Sequence, residues 1–201
     1  MSLPTDPNQR LVQIATNGID FDSRTIYING EVSQERNLVM IPALRIMDES
    51  DGQVSVIINS GGGDSDMGIA LYDMLRAMRN EVVTVNVSRA FSIAALILQA
   101  GDLRLALPHA EVMIHNGFLE IQAGPGSAID NDGLAEMVAE SKRSDEVYHT
   151  ILQKHTKQNI KKISRWCETD TYFDAKDSLK YGFIDAIIDE KYTKPMKVKA
   201  P

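Results

Sequence analysis

An apolar run, Val54-Ser55-Val56-Ile57-Ile58, leads into three consecutive glycines, Gly61-Gly62-Gly63; a helical pattern over Asp66 to Arg79 and a second apolar run, Val82-Val83-Thr84-Val85-Asn86-Val87, follow. Strand, helix, strand in that order leaves few topologies, because a helical crossover returns the chain to the same end of the sheet and makes the two strands parallel. The rest of the chain repeats the alternation. Thr25-Ile26-Tyr27-Ile28 reads as an earlier strand and Asn29-Gly30 as a turn. A helix is expected from Asn37 to Met47, carrying Leu38, Ile41, Leu44 and Ile46, with Pro42 bending it or marking its first turn. Leu103 to Leu107 and Val112 to Ile114 are two more short strands. Asp132 to His155 reads as a long helix polar enough to project from the core, followed by a short helix over Lys161 to Trp166. A last helix, Ala175 to Tyr181, is capped by Asp174 and stopped by Gly182, and Phe183 to Ile188 closes the sheet. The class is α/β with a parallel sheet.

At 201 residues the chain suits one domain with its own core. Residues 1–20 carry Pro, Asn and Gln without periodicity and read as an N-terminal arm, 21–190 as the domain, and 191–201, with Lys191, Lys194, Lys197 and Lys199, as a solvated basic tail. The formal net charge of −7 argues against a nucleic-acid groove, which needs clustered Lys and Arg. The longest apolar stretch, Ile93 to Leu98, is too short to span a bilayer. The single cysteine, Cys167, forms no internal disulfide and fits a buried thiol in a reducing cytoplasm.

Ser92 falls where the Val82 to Val87 run has ended and the apolar run Ile93 to Ala100 begins. At a strand-to-helix corner a serine hydroxyl can stand clear of the sheet beside the first free N–H groups of the helix. Taken singly, the residues have ordinary readings: Ser92 as a helix cap, His115 as a strand-end histidine, Asp170 as a turn residue. Together they supply what acyl transfer from a peptide needs. Ser92 is the nucleophile, His115 the base and Asp170 the group that orients the base, while the N–H groups of Gly63 and Ile93 are the oxyanion donors. Of the other histidines, His109 follows Pro108 in a turn, and His149 and His155 lie on the long helix, where exposed histidines are common. No lysine follows the glycines as a P-loop requires, and no metal-ligand spacing is present; neither metal nor cofactor is expected.

Five blocks, from Thr25 to about Ile188, resemble the proteolytic subunit of the Clp protease (ClpP). They are Ile58-Asn59-Ser60-Gly61-Gly62-Gly63 with Gly68-Ile69-Ala70-Leu71-Tyr72-Asp73, the Ser92 turn with Ala100-Gly101, Ala106-Leu107-Pro108, Met113-Ile114-His115, and Tyr181-Gly182-Phe183-Ile184-Asp185. The resemblance implies a crotonase-like α/β fold of repeated β-β-α units with a projecting handle over about residues 117–155. It matches Ser92, His115 and Asp170 to the family triad and Gly63 and Ile93 to its oxyanion donors. It further implies heptameric rings stacked in pairs, unfolded polypeptides as substrates, and an ATP-driven AAA+ unfoldase as partner.

The chain departs from the family pattern at several points. Ser60-Gly61-Gly62-Gly63 stands for Ser-Pro-Gly-Gly, and Ser88-Arg89-Ala90-Phe91-Ser92-Ile93-Ala94-Ala95 for Gly-Gln-Ala-Ala-Ser-Met-Gly-Ala. Ser55, Ile57 and Ala77 replace the aromatic residues of the unfoldase-docking pocket and count against a standard unfoldase. Thr169 replaces an arginine before Asp170, and the segment from Gly117 to Asp132, with Gly124-Pro125-Gly126, is longer than the family's handle strand. Three readings compete with an ATP-dependent peptidase: a phage-type head-maturation protease without ATPase, an acyl-CoA enzyme of the crotonase type, and an idle ring subunit.

Overall fold

In the computed structural model, residues 7–118 and 130–188 are described. The expected Gly124-Pro125-Gly126 insertion and the basic tail lie outside them.

The sheet is mostly parallel, as the alternation requires. Its order is β1 (Ile19–Asp20), β2 (Thr25–Asn29), β3 (Val54–Ser60), β4 (Val82–Phe91), β5 (Leu103–Ala106) and β8 (Ala186–Ile187), with β6 (Glu111–Ile114) beside β4 and β7 (Thr171–Phe173) beside β6. Only the β1–β2 and β6–β7 pairs are antiparallel. Strand β4 carries the sheet's branch. Val83 to Asn86 pair with β5, and Arg89 to Phe91 with β6, so its last residues are held by a different neighbour.

Helices α2 (Gln34–Met47), α3 (Ser65–Arg76) and α4 (Ile93–Leu98) connect the strands. Every residue of α4 is buried, and it forms the centre of the core with Leu44, Val54, Val56 and Ile58. In α3, Leu71, Tyr72 and Leu75 are buried and Ile69 packs against the core; the helix ends at Arg76 rather than the expected Arg79, and Met78 packs against the core from just past its end. The inward face of α2 differs from expectation. Asn37, Met40, Ala43, Leu44 and Met47 are buried, a set at helical spacing, whereas Leu38 and Ile46 are exposed. Pro42 lies inside the helix rather than in its first turn.

Pro7–Asn17, read from sequence as part of an aperiodic arm, forms helix α1. Arg10 ties it to the buried Asp20 through its Nε, at 3.1 Å, and its guanidinium end. Helix α5 (Asn131–Thr156) buries only Tyr148, His149, Leu152 and Thr156, all near its C-terminal end, so the rest stands away from the core. His149 is therefore buried and not the exposed helix histidine expected: it bonds Asn116 Oδ1 at 3.0 Å, and burial lowers its pKa. His155 is half-buried, 2.7 Å from the Tyr72 hydroxyl. Helix α6 (Ile160–Cys167) encloses Cys167, whose thiol burial pushes up to about 12, an inert structural thiol. Helix α7 (Ala175–Tyr181) has the expected ends, with Asp174 accepting from the Asp177 N–H and Gly182 at φ 82. No helix among the described residues is long and apolar enough to cross a membrane.

Candidate active site

Ser92 sits at the β4–α4 corner with φ 55 and ψ −127, a conformation that a residue with a side chain rarely adopts. Three hydrogen bonds pin it. Its N–H donates to Met113 O on β6 at 2.8 Å, and its carbonyl accepts from Ala95 N at 2.9 Å and from the Tyr148 hydroxyl at 3.0 Å. Its side chain makes no capping bond to α4, so the ordinary reading of this serine as a cap fails.

The glycine loop makes room for it. A Cβ at Gly62 would lie 2.7 Å from Ser92 Cβ and 3.0 Å from Phe91 O, and φ there is +104. At Gly68 the constraint is packing alone: a Cβ would stand 2.1 Å from Ile93 Cγ1, so α3 reaches α4 only through glycine. Val32 N donates to Gly62 O and Asp64 N to Val32 O, an isolated bridge that uses the groups on either side of the Gly63 N–H. That N–H has no hydrogen-bond partner among the described residues, and Gly63 lines the same cavity as Ser92. Ile93 opens α4, and the first N–H groups of a helix have no intrahelical acceptor.

His115 directly follows β6. Its ring lies 4.7 Å from that of Phe118, tilted by 34°. Its Nδ1 is buried and has no hydrogen-bond partner among the described residues. Ser92, His115 and Gly63 line one cavity of about 450 Å³. Asp170 does not line it and is exposed directly before β7. Ile114 pairs with Thr171 in the antiparallel β6–β7 register, and His115 and Asp170 are the residues that come next on either side of that last pair.

The remaining walls come from residues that sequence reasoning did not single out: Ser65 and Asp66 from α3, and Met137, Glu140, Ser141 and Ser144 from α5. No local pattern marks them, since they meet Ser92 only through tertiary packing. Tyr148 had a weak signal, as an aromatic residue in a polar helix. Among the described residues no three His, Cys, Asp or Glu side chains gather as a metal site.

Residues 10–191 match the Clp protease family. The chain is 34% identical over 169 residues, 82% of its length and 74% of the relative's, to the ATP-dependent Clp protease proteolytic subunit 1 of Streptomyces coelicolor. The matched span takes in every element that builds the cavity, from the glycine loop to β7, and the chain belongs to the Clp protease family.

Proposed function

We propose that this protein is a serine endopeptidase that hydrolyses peptide bonds of unfolded polypeptides within a self-compartmentalising ring. The observation that carries the reading is Ser92 on a strained corner, its side chain making no capping bond, in one cavity with His115 and with Gly63, whose N–H has no partner among the described residues. In this reading Ser92 Oγ attacks the scissile carbonyl carbon and its proton passes to His115 Nε2. The carbonyl oxygen, now an anion, is held by the N–H groups of Gly63 and Ile93. The tetrahedral adduct collapses, the C–N bond breaks, and the imidazolium returns the proton to the leaving amine. Water, deprotonated by the same imidazole, then releases the acyl group. Asp170 is the group that orients His115, through the buried Nδ1 that has no partner among the described residues; the β6–β7 register supports this role.

The family resemblance supports heptameric rings stacked in pairs, and the name of the Streptomyces coelicolor relative supports an ATP-dependent partner. Ser55, Ile57 and Ala77 point to an unfoldase contact unlike the family's usual aromatic one. Labelling by a fluorophosphonate, which requires an activated serine, tests the reading together with hydrolysis of a small peptide. Labelling at Ser92 that vanishes in Ser92→Ala is expected; an unlabelled, inactive wild-type protein in ring form overturns it.

A further inference from the structure

The cavity around Ser92 is electrically one-sided. Asp66 and Glu140 line it, and among the described residues no lysine or arginine does. Asp66 stands in the first turn of α3, where an acidic side chain also complements the helix dipole. It makes no ion pair among the described residues, so no side-chain cation there neutralises its carboxylate. Glu140 lies on α5 and shares its carboxylate with Arg143, which is not part of the lining. Met137 and Phe118 supply apolar surface in the same cavity. A subsite with apolar walls and carboxylates suits a side chain with an apolar stem and a cationic head, which describes lysine and arginine. An acidic side chain would meet like charge there.

We infer that the cleft selects a lysine or arginine next to the scissile bond, with Asp66 as the principal recognising charge and Glu140 secondary. This rests on the reading of Ser92 as the nucleophile. The net charge of −7 acts in the same direction, drawing basic segments toward the protein.

The test compares peptides, cleaved by the full-length wild-type protein, that carry arginine or its neutral isostere citrulline on either side of the scissile bond. Cleavage sites in an unfolded protein substrate are mapped by mass spectrometry alongside. The arginine peptide is expected to have a kcat/KM about fivefold higher at low salt, the size that solvent-exposed charge pairs provide, with the ratio shrinking as ionic strength rises. In Asp66→Asn the ratio should fall toward one, and further in Asp66→Asn/Glu140→Gln. Equal cleavage of the two wild-type peptides, or mapped sites with no excess of lysine and arginine, overturns the proposal, and this wild-type comparison decides it even where a variant fails to fold. Fluorophosphonate labelling of Ser92 without charge discrimination sinks only the specificity. Absence of both labelling and cleavage removes the nucleophile and this proposal together.

Discussion

At the residue scale the site depends on a few groups whose replacement has unequal effects. Ser92→Ala removes one hydroxyl and keeps the three bonds that hold the corner, because all three involve the backbone of residue 92. Hydrolysis of a small peptide should fall by about 10⁶ in kcat with assembly intact, the subtilisin value for loss of the nucleophile. Asp170→Asn should cost about 10⁴, the chymotrypsin value, if the carboxylate orients His115. Full activity in steady-state assays of Asp170→Asn would remove Asp170 from the site. Gly68→Ala tests packing rather than chemistry. Its Cβ would overlap Ile93 Cγ1, and overpacking of this kind costs about 2 kcal/mol, or about 5 °C in Tm for a domain of this size. Trimming the obstacle in Gly68→Ala/Ile93→Ala should recover part of the gap between Gly68→Ala and Ile93→Ala alone, measured by thermal unfolding.

At the scale of the element, α5 is two things in one helix. Its N-terminal part lines the cavity from outside the core, and its C-terminal end is packed inside. Tyr148 links the two, buried on the helix and donating to Ser92 O at 3.0 Å. Tyr148→Phe should lower stability by about 1 kcal/mol in urea unfolding. It should also reduce kcat more than it changes KM, since the corner loses one of its anchors while the cleft walls stay. One turn beyond Leu152, His155 faces Tyr72 of α3. Burial, reinforced by the nearby Arg104, Lys154, Arg76 and Lys157, lowers its pKa from the usual 6.5 to about 4. As pH falls through 6.5 the unfolded chain takes up a proton that the folded chain refuses until about 4, so stability is present above that window and lost within it. With the side chain half-exposed, the loss is on the order of 1 kcal/mol. The stability difference between wild type and His155→Gln, from urea midpoints at pH 7 and pH 4.5, should change by that amount in favour of the variant at the lower pH.

At the scale of the whole molecule, the proposed rings would stack through the part of the chain that departs most from the family. Thr169 stands exposed where the family resemblance implies an arginine, and threonine cannot make the charge-assisted bonds, worth about 1.5–3 kcal/mol each, that an arginine makes. Double rings should therefore separate into single rings on dilution or in moderate salt. Activity should fall in parallel, because His115 and Asp170 flank the β6–β7 pair next to Thr169. Sedimentation velocity across protein and salt concentration reads this directly. A double ring that persists at nanomolar protein would show that other contacts carry the stacking.

The local signals in this chain were strong wherever a single element answers to its own residues. The apolar runs of β3 and β4, the cap and stop of α7, and the polar character of α5 were legible because burial, capping and backbone freedom act within a few positions. The family blocks also brought Ser92, His115 and the glycine loop into view before any contact was known. The inward face of α2 was not legible, since Leu38 and Met40 are both apolar and only the sheet beneath decides which of them it covers. Helix α1 was missed for a related reason: none of its residues is buried, and its tie to the domain is the long-range pair of Arg10 with Asp20. Sequence by itself determined the alternation of strands and helices, hence the parallel sheet, together with the chemistry available at its edge. Tertiary structure alone decided what surrounds that chemistry. It strained Ser92, buried His149, enclosed Nδ1 of His115 with no partner among the described residues and turned Asp66 and Glu140 toward one cavity, because such environments arise from segments far apart in the chain that meet only when the core closes.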